Sequence, residues 1–161
     1  MPNRKVHVIT SGLAGVGVAA LEKKCIHPLE QLSHLVGGAV GGVIGGRTPD
    51  VLEPATSPCH RQCFHGIVPC GSVVTFGGAF LLETYRKLIA WAESAPGADT
   101  SKDQPIPLDR CFRFFVAGAY KGFLAGYAVH LLLDSRTPKG LPIVGKLGLA
   151  FLNEIPARIA A

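Results

Sequence analysis

Apolar positions in this chain come in long runs broken by single polar residues, and the breaks recur at helical rather than alternating spacing. The run from Val6 to Leu21 contains no Asp, Glu, Lys or Arg and predicts a first helix over 6–24. Pro28 suits the first turn of a second helix, which should run to about Gly46. Gly66 to Ala92 predicts a third helix. Asp109, as an N-cap, predicts a fourth from Arg110 to about Leu133. A short fifth element fits between Leu141 and Ala161, bounded by Pro142 and Pro156. Arg47 to His65 holds three prolines and reads as a long polar loop, and Ser94 to Pro107 reads as an exposed connector. The expectation is an all-α, compact bundle of four to five helices in one domain spanning residues 1–161.

The second predicted helix ends in Gly-Gly-Ala-Val-Gly-Gly-Val-Ile-Gly-Gly. Gly37, Gly41 and Gly45 recur every four residues, as do Gly38, Gly42 and Gly46. Each glycine costs a helix about 1 kcal/mol relative to alanine. Close approach of a neighbouring backbone is the compensation this spacing suggests, with Gly41 at a tight contact.

Composition moves the picture towards a membrane. Hydrophobic residues make up 48% of the chain, charged residues 17%, and the mean hydropathy is +0.32. An ordinary soluble domain has about 25% charged residues. Phe114 to Leu133 approaches the roughly 20 apolar residues of a span, but carries Lys121 and His130. Two arrangements fit: a polytopic membrane protein with functional polar residues inside, or a very apolar helical domain lying on a membrane. The N-terminus resembles a signal peptide faintly. It lacks a small-residue cleavage site before Glu22-Lys23-Lys24, so it reads as a retained first helix. The net charge of +5 is scattered with no interleaved aromatics, which argues against nucleic acid as a partner and for helix ends at an anionic lipid surface. Five cysteines do not make a disulfide framework. Cys59, Cys63 and Cys70 lie at spacings foreign to a structural zinc knot.

Polar residues that interrupt or adjoin the apolar segments form the candidate chemistry. His34 lies in the second helix. Asp50 and Glu53 follow in Pro-Asp-Val-Leu-Glu-Pro. His60, Arg61 and His65 come from Cys-His-Arg-Gln-Cys-Phe-His. His130 and Asp134 stand four residues apart, on one face of the fourth helix. Burying a carboxylate and an imidazole in an apolar element is costly unless something compensates them. A divalent cation would, and nitrogen and oxygen donors suit zinc, manganese or a similar ion, one or two in number.

The order His34, Pro49-Asp50, His60-Arg61 with Phe64-His65, then Gly126, His130, Asp134, Thr137-Pro138 and Gly140 resembles the YdjM-like family of bacterial membrane-bound metal-dependent hydrolases. The resemblance covers about Leu32 to Ile143. The chain departs from the family pattern where a second acid is replaced by the later Glu53, and at Gln62 and Gly66. The resemblance implies a helical hydrolase of phosphoester or lipid-type substrates at the bacterial inner membrane, or peripheral on its cytoplasmic face. Its expected metal ligands are His34, Asp50, His60, His65, His130 and Asp134. Glu53 and His60 are the expected acid/base groups, and Arg61 the expected phosphate partner, since a guanidinium binds phosphate bidentately. The alternative is a membrane metal-binding protein without turnover, in which the same ligands staple helices together.

Overall fold

The computed structural model describes residues 4–25, 27–52, 67–96 and 106–135. They form four α-helices: α1 Arg4–Ala20, α2 Pro28–Leu52, α3 Ile67–Glu93 and α4 Leu108–Ser135. There is no strand among the described residues. The expected fifth element and the turn of Thr137, Pro138 and Gly140 lie outside them.

Local chemistry explains where the helices begin. At the start of α2 the Glu30 carboxylate reaches back to accept the His27 backbone N–H at 3.1 Å, with Pro28 in the first turn. At the start of α4 the Pro107 carbonyl accepts the N–H groups of Arg110 and Cys111. Asp109 is therefore inside the first turn rather than capping it. There it pairs with Arg113 at 2.8 Å and faces the positive end of the helix dipole.

The largest departure from the sequence expectation is at the other end of α2. The helix does not stop near Gly46 but continues to Leu52, so Asp50 is helical rather than in a loop. Pro49 removes the N–H that would bond to the Gly45 carbonyl. Tertiary packing compensates for that loss, because Pro49 is among the largest fully buried side chains.

Helices α1, α2 and α4 pack on one another, and α3 packs on α4. The two glycine series on α2 serve different neighbours. Gly37, Gly41 and Gly45 lie against the α4 backbone at Phe115, Ala119 and Phe123. Gly38 and Gly42 lie against the α1 backbone at Gly15 and Ser11, and Gly46 lies against the Ser11 side chain. Helix α4 answers with its own series: Gly118, Gly122 and Gly126 abut the backbone of His34, Gly38 and Gly42. A Cβ at any of these positions would overlap its neighbour.

This packing turns the usual amphipathic pattern inside out. The buried residues of α2 are its glycines with Glu30, His34 and Pro49. Its outer face carries Leu29, Leu32, Val36, Val40 and Ile44, all exposed, and α1 exposes Val6, Ile9 and Leu13. A small apolar core of Ile89, Ala92, Phe114 and Ala117 joins α3 to α4. Beside it, Arg110 is bound to Glu30, both side chains being almost fully buried. The same guanidinium donates to the carbonyls of Glu93 and Ala95 and so closes the end of α3. After α3 the connector starts at the surface, with Ser94 and Pro96 exposed and only the Ala95 side chain turned inward.

Candidate metal centre

Three helix ends meet at one pole of the bundle. His7 comes from the first turn of α1, Asp50 from the last turn of α2, and His130 and Asp134 from the last turns of α4. His7, His130 and Asp134 are 5%, 0% and 2% exposed. Asp50 sits at the mouth, its side chain 47% exposed.

The atoms face one another. His7 Nε2 is 3.6 Å from Asp134 Oδ1, and His130 Nε2 is 3.6 Å from Asp134 Oδ2. His130 Nε2 also stands 3.6 Å from Asp50 Oδ1. The two imidazole centroids are 4.4 Å apart. One donor atom from each of His7, His130 and Asp134 lies within 4.8 Å of the others. Two ligands held about 2.0–2.1 Å from a tetrahedral ion would sit roughly 3.4 Å apart, close to the two 3.6 Å separations between the histidines and Asp134.

The tautomer matches as well. His130 Nδ1 is 2.6 Å from the Gly46 carbonyl oxygen. A carbonyl only accepts, so Nδ1 carries a hydrogen and Nε2 is the ring nitrogen that faces the two carboxylates and would face a cation held between them. That backbone contact is the kind of support that orients a metal-ligating histidine.

The structure therefore brings together Asp50, His130 and Asp134 and adds His7, which the sequence reading passed over. His7 is the one ionisable side chain in the run from Val6 to Leu21. A histidine in the first turn of an otherwise apolar helix was the available signal, hidden by the signal-peptide-like character of the segment.

His34 is not at this centre. It lies twelve residues before Gly46 on α2, about 18 Å along the helix. Its Nε2 is 3.4 Å from the Tyr85 hydroxyl, in a polar cluster at the opposite pole. There Tyr85 donates to Glu22, and Lys121 pairs with Glu22 at 3.5 Å. Burial alone would push the Glu22 carboxyl up. The Tyr85 hydroxyl, Lys121 and the backbone N–H groups of Lys24 and Lys23 outweigh it and hold the carboxyl below its usual range. Nearby, burial together with Glu30 and Glu22 pushes the Cys25 thiol up to about 12, which leaves it protonated and unreactive. Glu53, His60, Arg61 and His65 lie outside the described residues, as do Cys59 and Cys63.

No protein-family model, curated protein or solved structure matches the chain. The chemistry of the centre therefore stands on its own residues.

Proposed function

We propose that this protein is a membrane-embedded, metal-dependent hydrolase acting on phosphoester or lipid-type substrates. The observation that carries the reading is the buried His7, His130 and Asp134 triad with Asp50 at its mouth. Two imidazoles, one of them held at Nδ1 by the Gly46 carbonyl, and a carboxylate suit zinc, with manganese as the next fit. A cation would also compensate the buried Asp134 carboxylate, which is otherwise costly in such a setting.

The cation would supply an activated water near neutral pH and polarise the scissile group. The chain's own residues do the rest. His7 and His130 would hold the ion through neutral nitrogens, and Asp134 would balance its charge. Asp50, half exposed, would accept a proton from the attacking water at Oδ1. The resemblance to YdjM-like proteins supports His60 and His65 as further ligands, Glu53 as an auxiliary base and Arg61 as the phosphate partner. It also supports a bacterial inner-membrane location.

Membrane embedding is supported by the inverted packing. A row of exposed Leu, Val and Ile along α2 and α1 covers an interior of glycine and polar groups. Helix α4 is by length and composition able to cross a bilayer within Leu108–Asp134. Near-complete burial of the triad favours the second reading, a closed site that staples α1 to α4. Exposure of Asp50 favours an open, catalytic one.

The test is metal analysis of detergent-purified protein followed by a phosphoesterase and lipase substrate panel. Stoichiometric zinc or manganese with metal-dependent turnover is expected. Absence of tight divalent-metal binding in the reconstituted parent would end the reading. Metal without turnover on any substrate would favour the stapling role.

A further inference from the structure

One helical turn beneath the metal donors lies a layer of three small residues. Ser11 is four residues from His7, Gly46 four from Asp50, and Gly126 four from His130. The Ser11 hydroxyl donates to the Gly126 carbonyl at 3.1 Å, tying α1 to α4. A Cβ at Gly46 would collide with Oγ and Cβ of Ser11 and with no other side chain. The Gly46 carbonyl is the group that holds His130 Nδ1. It belongs to the turn that Pro49 loosens, because the proline leaves the adjacent Gly45 carbonyl without its helical donor.

We infer that Ser11, Gly46 and Gly126 form a seat that sets the spacing of the metal donors, and that Gly46 is the positioning residue for His130. The inference rests on the metal reading of the centre. Ser11 fills the notch that the missing Cβ of Gly46 leaves, and this lets α1 approach α2 closely enough for His7 to reach Asp134. The same close approach keeps the Gly46 carbonyl against the His130 ring. A side chain at position 46 must displace Ser11, and both histidines then move relative to Asp134. Removing the Ser11 side chain should undo that effect, because the next nearest atom to a Cβ at 46 is the His7 carbonyl oxygen at an ordinary 3.5 Å.

The test is cobalt(II) titration of the full chain in detergent, followed by visible absorption, with thermal melting by circular dichroism alongside. Gly46→Ala should lower cobalt affinity by about 10- to 100-fold, the usual cost of disturbing a ligand's supporting contacts, and should shift the ligand-field bands. The Ser11→Gly/Gly46→Ala double variant should recover most of the affinity and the parent spectrum. Gly38→Ala creates a comparable clash two turns away, against Ala19 and Gly15. It should lower the melting temperature while leaving the cobalt affinity of the folded protein unchanged. A folded Gly46→Ala protein with parent affinity overturns the inference, and so does a double variant no better than the single one. If Gly46→Ala does not fold, the double variant decides: folding with near-parent affinity supports the seat, and failure to fold overturns it. If the parent itself binds neither cobalt nor zinc, the metal reading fails first. Parent-like binding by Gly46→Ala fails the seat alone.

Discussion

Charged and titratable side chains do two different jobs in this molecule, and individual substitutions should separate them. At the candidate metal centre, Asp134→Asn keeps the shape of the carboxylate but removes its charge. It should cut metal occupancy sharply and leave helicity nearly intact, as read by metal analysis and far-ultraviolet circular dichroism. His7→Ala should cause a comparable loss of metal. Retention of stoichiometric, tightly bound metal by His7→Ala would remove α1 from the centre. At the opposite pole the Glu30–Arg110 pair is structural. Glu30→Ala would leave the guanidinium buried without its partner and should destabilise the fold by about 3–5 kcal/mol in detergent denaturation. A single-cysteine variant that keeps Cys25 should resist alkylation at pH 8, because its thiol is held near 12 and is almost entirely protonated there. Labelling at the rate of a free thiol would contradict the burial seen here. His130 and Asp134 were legible from spacing and setting, whereas Asp50 was a candidate read into a loop. His7 was not, because its partners are distant in sequence and only the packing of α1 onto α4 brings them near.

At the scale of elements, the glycines of α2 and α4 replace side-chain packing by backbone contact. Gly41 lies on the α4 backbone at Ala119, where rigid main chain leaves no room for a methyl group. Gly41→Ala should destabilise by roughly 1–3 kcal/mol through overpacking, and Gly41→Leu by more. Gly17 has nothing within 4 Å of where its Cβ would stand, and it lies inside α1. Gly17→Ala should therefore stabilise the protein by about 0.5–1 kcal/mol through helix propensity alone. Equal effects of the two substitutions on the melting temperature would show that the contacts are not selective. The four-residue glycine period on α2 was readable in the sequence. The matching series at Gly118, Gly122 and Gly126 stood in plain view as well, but its meaning depended on knowing that α4 is the neighbour.

For the whole molecule, the distribution of polarity predicts behaviour. Helices α1 and α2 expose Val, Ile and Leu side chains, while the interior holds Ser11, Glu30, His34 and His130. An apolar outer surface of this kind suits lipid better than water. The protein should sediment with membranes after a high-salt wash and need detergent for extraction. A monodisperse, detergent-free monomer would count against embedding. Extraction by salt alone would favour attachment through the basic helix ends.

By itself the sequence determined that the chain is helical, that its second helix packs by close approach, and that His130 and Asp134 share one helical face. Those properties follow from local spacing, since a helix fixes which residues lie together within one turn or two. Tertiary structure alone decided the rest. Packing kept α2 helical through Pro49 and brought Asp50 to the pole, against the loop-forming tendency of its neighbours. It sent His34 to the opposite pole with Tyr85 and Glu22, although His34 and Asp50 lie on the same helix. It also placed His7 beside Asp134, where α1 packs on α4. Each of these depends on contacts between residues far apart in the chain, which no local period encodes.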